Sequence, residues 1–148
     1  MKYEVKSYLK INEEFLDVSE YDGTVKDEDY IEGAIELQIG NKQILTLEHW
    51  DLVDQLWAYL LEAAGKIRLG DDYESCFPDQ PLQLRLKPIG DYAVELTVGK
   101  TSTTVDKATL LEAFSEGAIT FFERMANIVP RSKETWSMYE GEAIQLVK

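Results

Sequence analysis

Residues 34–40 read AIELQIG and residues 93–99 read AVELTVG, with four identities and two Ile/Val exchanges in seven positions at an offset of 59. In both copies apolar and polar residues alternate, which is the period of a strand buried on one face. Both end at a glycine followed by a polar residue, Gly40-Asn41 and Gly99-Lys100, where a chain readily reverses. A short second run follows each reversal, over residues 43–45 and residues 101–105. The apolar spacing then changes from that of a strand to that of a helix. The first stripe is Trp50, Val53, Leu56, Trp57, Leu60, Leu61 and Ala64, with Thr46 as its cap and Gly65 as its stop. The second runs from Leu110 or Leu111 through Phe114, Ala118, Phe121, Phe122 and Met125 to Ile128, capped by Asp106 and stopped by Pro130. Five apolar positions of the two stripes align when two residues are allowed at the second reversal.

Outward from these units, Tyr3, Val5, Ser7, Leu9 and Ile11 share one face of a further strand, and Leu82, Leu84 and Leu86 alternate before a turn at Gly90-Asp91. Residues 66–81 read as a loop. Helices that follow pairs of strands favour an antiparallel sheet. The expected fold class is therefore α+β: one antiparallel sheet of about five to six strands with two main helices on one face, as a single domain over residues 1–148. Its ββα units span residues 30–65 and residues 82–128. An internal duplication explains the shared letters, whereas two independent amphipathic ββα units explain the shared period alone. The tail, residues 131–148, carries Trp136, Met138, Tyr139, Ile144, Leu146 and Val147. These side chains need cover, from the open sheet face, from a last short strand on a sheet edge, or from a partner.

A chain of 148 residues with 45% hydrophobic residues is large enough for a full core, and its low proline and glycine content excludes a disordered or fibrous protein. The formal net charge of −13 repels phosphate backbones and anionic lipid surfaces, so neither nucleic acid nor membrane is an expected partner. A single cysteine, Cys76, offers no disulfide framework. The opening residues MKYEVKSYLKINEEF show no apolar leader segment, and the expected location is cytoplasmic.

The acidity is concentrated. Residues 12–32 hold nine acidic residues and one lysine, so 8 of the 13 net negative charges lie in 21 residues. Such a block is either a solvated connection or, given its interleaved Phe15, Leu16, Val18, Tyr21 and Tyr30, a docking surface for a basic protein. The candidate docking residues are Asp17, Glu20, Asp22, Asp27, Glu28 and Asp29. A calcium-loop frame over the same stretch lacks its first carboxylate, because Val18 stands there. A second candidate set, Asp71, Asp72, Glu74 and Asp79, gathers carboxylates around the loop after the first helix. Within it, residues 77–81 (FPDQP) form a proline-stiffened tip. The lone His49 and Cys76 carry no spacing that marks an activated thiolate, and one of each is too few for the usual zinc sets. No glycine-rich nucleotide motif is present, and no cofactor is expected.

The composition points to a non-catalytic, acidic protein-binding module. In size, acidity and absence of a catalytic motif the chain resembles, as a class, the small acidic bacterial immunity proteins that neutralise basic toxins. That likeness implies a basic partner and assigns no residue. Two alternatives stand beside it: a small-molecule-binding protein or hydrolase whose carboxylates line a pocket near the repeat junction, and a structural homodimer that covers its sheet through the tail.

Overall fold

The computed structural model describes residues 2–148. The first strand, β1 (Tyr3–Ile11), turns at Asn12 and Glu13 into β2 (Glu14–Asp17). Both turn residues have φ in the left-handed region, 51° and 68°, which is the geometry that matches the twist of a tight hairpin. After the acidic loop, β3 (Glu32–Ile39) returns antiparallel along β1, from Leu9 opposite Gly33 to Tyr3 opposite Ile39. Gly33 is required there, because a Cβ would lie 2.0 Å from the Tyr8 carbonyl oxygen and against Val53. Gly40, at φ 61°, then reverses the chain into β4 (Lys42–Leu45). A 3-10 turn, Leu47–His49, leads to the two-residue β5 (Asp51–Leu52), which also pairs with β3 and completes a five-stranded sheet.

Helix α1 (Val53–Arg68) follows directly. The second sheet is a simple meander of β6 (Tyr73–Phe77), β7 (Gln80–Ile89), β8 (Ala93–Val98) and β9 (Thr101–Asp106). Helix α2 (Lys107–Ile128) leaves β9 without a loop, because Asp106 caps it by accepting from the Thr109 N–H at 2.9 Å. Helix α3 (Lys133–Gln145) ends the fold.

The α+β class is what the structure shows, with the strands divided between two antiparallel sheets of five and four in place of one sheet of five or six. The division arises because α1 separates the two hairpin units, and the short strands β2, β5 and β6 add to their edges. Helix α1 packs on β3 of the first sheet and on β6 and β7 of the second, while α2 packs on β1 and β9. The outward-facing positions of β1 are polar or amphipathic, among them Glu4, Lys6, Tyr8 and Lys10, so this face needs no apolar cover.

Both units run from a hairpin to a helix, but β3–β4 has a register shift between Leu37 and Gln38 that β8–β9 lacks, and β5 intervenes before α1. Ile35, Leu37 and Ile39 on β3 and Val94, Leu96 and Val98 on β8 are all buried, and Gly99 repeats the left-handed turn of Gly40 with φ 63°. The first helix differs at both ends. It begins only at Val53, since Trp50 remains in the connection and Asp51–Leu52 pairs with β3. It runs through Gly65 to Arg68, since Ile67 is fully buried, and stops at Gly70 with φ 86°.

The tail corrects a second expectation. It is neither a strand nor a cover for a sheet but the helix α3, packed mainly on α2. Pro130 opens a 3-10 turn that folds the chain back, placing the Trp136 ring 5.8 Å and the Tyr139 ring 5.1 Å from the Phe122 ring. The Trp136 indole donates to the Val129 carbonyl at 3.0 Å, and Ser115 donates to the Ala143 carbonyl at 2.8 Å. The core is one continuous cluster drawn from both sheets and all three helices. At its centre the fully buried Trp57 donates to Ser7 Oγ at 2.9 Å and meets Phe114 edge to face. No described helix is long and apolar enough to cross a membrane.

Candidate functional site

The acidic loop between β2 and β3 is an ordered structure. Its first residue, Val18, is buried and its N–H donates to the Ser7 carbonyl at 2.9 Å. From α2, the Arg124 guanidinium reaches back to the Val18 carbonyl at 3.1 Å and also to the Tyr21 carbonyl. Tyr21 folds over the loop to donate to the Thr24 carbonyl at 2.5 Å. Gly23 leaves room for that phenol, since a Cβ would lie 2.4 Å from its oxygen. At the other end Asp27 Oδ1 accepts from the Asp29 N–H at 3.0 Å, a local turn that sets three consecutive carboxylates side by side. Arg131, just beyond α2, pairs with Glu28 at 2.6 Å and with Asp29 at 2.7 Å.

The structure therefore brings Asp27, Glu28 and Asp29 together. They line an open cleft of about 990 Å³ between the β1–β2 turn and the loop, whose walls include Lys10, Glu13, Tyr30, Glu32 and Arg131. Asp17, Glu20 and Asp22 lie off this cleft. Asp17 is half-buried and its Oδ1 accepts from the Ser19 N–H at 2.9 Å. Asp17 and Glu20 also place negative charge near Tyr8, whose hydroxyl is held above its ordinary pKa by burial and by its hydrogen bond to Glu36.

The second candidate set does not converge. Asp71 and Asp72 are exposed between α1 and β6, Glu74 accepts from Gln83 at 3.2 Å on the outer face of β6, and Asp79 sits at the β6–β7 turn. Strand β6 runs between Asp72 and Asp79, so the two ends of the set cannot share a ligand. No group of three His, Cys, Asp or Glu side chains among the described residues has a metal-holding arrangement. The carboxylate-lined pocket expected from these four residues is not formed.

Asp79 instead belongs with the acidic loop. Its Oδ2 accepts from the Tyr30 hydroxyl at 2.7 Å, and this bond, with the charges of Asp79, Glu32 and Asp51, raises the Tyr30 pKa. Beside it, Gln80 donates to the Trp50 carbonyl and to Asp51 Oδ2, both at 2.9 Å. The stiff FPDQP tip thus clasps the connection that precedes α1. Trp50, Asp51, Glu32 and Gln80 are the residues that reading the sequence missed. Asp51 falls between positions of the expected stripe, Trp50 and Val53, so a polar residue there fits an ordinary helix and gave no signal of its burial.

His49 and Cys76 form no dyad. His49 Nδ1 accepts from the Thr46 N–H at 3.0 Å, closing a capping box, and burial lowers the imidazole pKa. Its ring packs against Phe77, while Cys76, one residue earlier on β6, is exposed on the opposite face. The described surface offers fixed carboxylates and half-exposed aromatic rings, a chemistry suited to binding cations and basic side chains.

No known family model, curated protein or solved structure matches the chain, so a functional conclusion has to come from its own residues.

Proposed function

We propose that this protein is a non-catalytic, acidic binding module of the inhibitor or immunity type, which captures a basic protein through the loop between β2 and β3. The observation that carries this reading is the anchoring of that loop by Arg124, Arg131 and Tyr30, which holds a highly charged segment in one shape along an open cleft. A merely solvated connection would not need two distant arginines, Arg124 in the last turns of α2 and Arg131 just beyond it. Ordered carboxylates lower the entropy lost on association, and an excess of negative charge accelerates encounter with a positive partner.

The test is an NMR titration with an arginine-rich decapeptide at low and high salt. Amide shifts should cluster at residues 24–32 and the β1–β2 turn, and binding should weaken steeply as salt rises. Asp27→Asn together with Glu13→Gln should slow association while leaving the Arg131 pairs and the near-ultraviolet spectrum intact. Shifts scattered over the whole surface, or rates indifferent to salt and to both substitutions, would end the proposal.

A further inference from the structure

Beside the acidic cleft lies a smaller recess of about 90 Å³, lined by Glu32, Trp50, Asp51, Leu52 and Asp79. Glu32 lines both, so the recess adjoins the cleft. Its volume is several times the ~10–15 Å³ that one water needs, and it suits the head group of a single side chain.

Two independent features give the recess a preference. The first is Asp51, which is 3% exposed and yet faces no cation. Its carboxylate accepts only from its neighbour's backbone, Leu52 N–H, and from the neutral Gln80 amide. None of Glu32, Asp51 and Asp79 makes an ion pair among the described residues. A buried carboxylate without a counter-ion is costly, and it leaves lone pairs open to a charged donor. The second feature is Trp50, a residue 39% exposed whose ring already has a cation over it: Lys10 Nζ stands 4.1 Å from the ring centroid. Lys10 makes its ion pair with Glu13 at 3.5 Å and none with the carboxylates of the recess.

We infer that this recess is an anchor seat for one arginine side chain of the basic partner, stacked on Trp50 with its guanidinium directed at Asp51 and Asp79. The inference rests on the docking reading above and names the contact that gives it specificity. A guanidinium fits better than an ammonium because it is planar, stacks on an indole, and can bond two carboxylates at once, and because it is more weakly hydrated when drawn into a recess. The Tyr30 hydroxyl, by bonding Asp79 Oδ2, fixes the rim carboxylate in place before the partner arrives.

Two peptides of equal charge test this on the full chain: an all-lysine decapeptide, and the same peptide with one central arginine. The arginine peptide should bind about tenfold more tightly and should shift the Trp50 indole N–H resonance. Trp50→Leu and Asp79→Asn, both at exposed positions, should each reduce that advantage to twofold or less, read as the ratio of the two affinities for each variant. An arginine advantage that is absent, or that survives both variants, overturns the seat and leaves the docking reading standing. Failure of both peptides to bind at low salt overturns the docking reading itself, and the seat with it.

Discussion

Replacing Gly117 with alanine sets helix propensity against packing. In an exposed helix interior the change stabilises by about 0.8–1 kcal/mol. Gly117 lies in α2, and there a Cβ would stand 2.6 Å from Trp57 Cη2, 2.6 Å from Val5 Cγ2 and 2.8 Å from Trp57 Cζ2. Carbon atoms pack comfortably at about 3.5–4.0 Å, so roughly 1 Å of separation has to be found. The indole cannot supply it freely, because it is bonded to Ser7 at 2.9 Å and wedged against Phe114. Overpacking of this kind costs about 1–3 kcal/mol, which outweighs the propensity gain and leaves a net loss of up to about 2 kcal/mol. Gly65, within α1, is the internal control. Nothing lies within 4 Å of a Cβ built there, so Gly65→Ala should gain up to about 1 kcal/mol. With a urea slope of about 1–3 kcal/mol per molar, the two midpoints should separate by roughly 1 M. The pair Gly117→Ala with Trp57→Phe should be less damaging than the sum of its parts, since the smaller ring makes room for the methyl. A Gly117→Ala midpoint that rises alongside that of Gly65→Ala would refute the packing of α2 on Trp57.

Three further outcomes are expected. Phe121, fully buried between the helices and the sheets, should lose about 3–5 kcal/mol on replacement by alanine, read as a lower urea midpoint. Asp106→Ala should cost about 0.5–2 kcal/mol as a lost helix cap. The hydrogen bonds from Thr109 lower the Asp106 pKa, so the carboxylate contributes stability that is present above its unfolded value and lost as pH falls through its folded value. The variant should accordingly lose less on acidification below about pH 4. Asp54 behaves in the opposite sense. Its Oδ1 is buried without a hydrogen bond and burial raises its pKa, so its charge opposes folding near neutrality, and the wild type gains stability as pH falls through the raised value. Asp54→Asn should raise the thermal midpoint at pH 7, and the gain should shrink toward pH 4.

The elements that could be read from residues are those whose period had room to show itself. Strands β3, β7 and β8 alternate over three or more apolar positions, and the interior of both main helices repeats often enough to separate 3.6 from 2. The short strands β2, β5 and β6 escaped because two to five residues carry no period, whereas β4 was marked by the Gly40-Asn41 reversal before it. Strand β5 is two residues long, and β6 alternates only as Tyr73, Ser75 and Phe77. The tail misled because Ile144, Leu146 and Val147 resemble a strand, although Trp136, Tyr139, Ala143 and Leu146 form the helical stripe that packs or caps. The acidic loop was legible as charge, with no local sign of what orders it. Its anchors, Arg124 and Arg131, come from about a hundred residues away, with separations of 106 for Arg124 to Val18 and 102 for Arg131 to Asp29. The seat around Trp50 was hidden for the same reason, because Gln80 and Asp79 reach it from another sheet.

The unequal wiring of the two sheets bears on how the chain finds its fold. The second sheet joins neighbours in sequence, and its central hairpin closes between Ile89 and Ala93. The first must bring Leu9 to Gly33 before β1 and β3 can pair, and the segment that has to close is the one where like charges crowd most densely. Loop closure there carries an electrostatic barrier on top of its entropy, whereas the meander has almost none of either. The second sheet, α2 and the turn after it should consequently form first and present Arg124 and Arg131 as a template on which the repelling loop condenses. Added salt should then speed the slower refolding phase and leave the faster one unchanged.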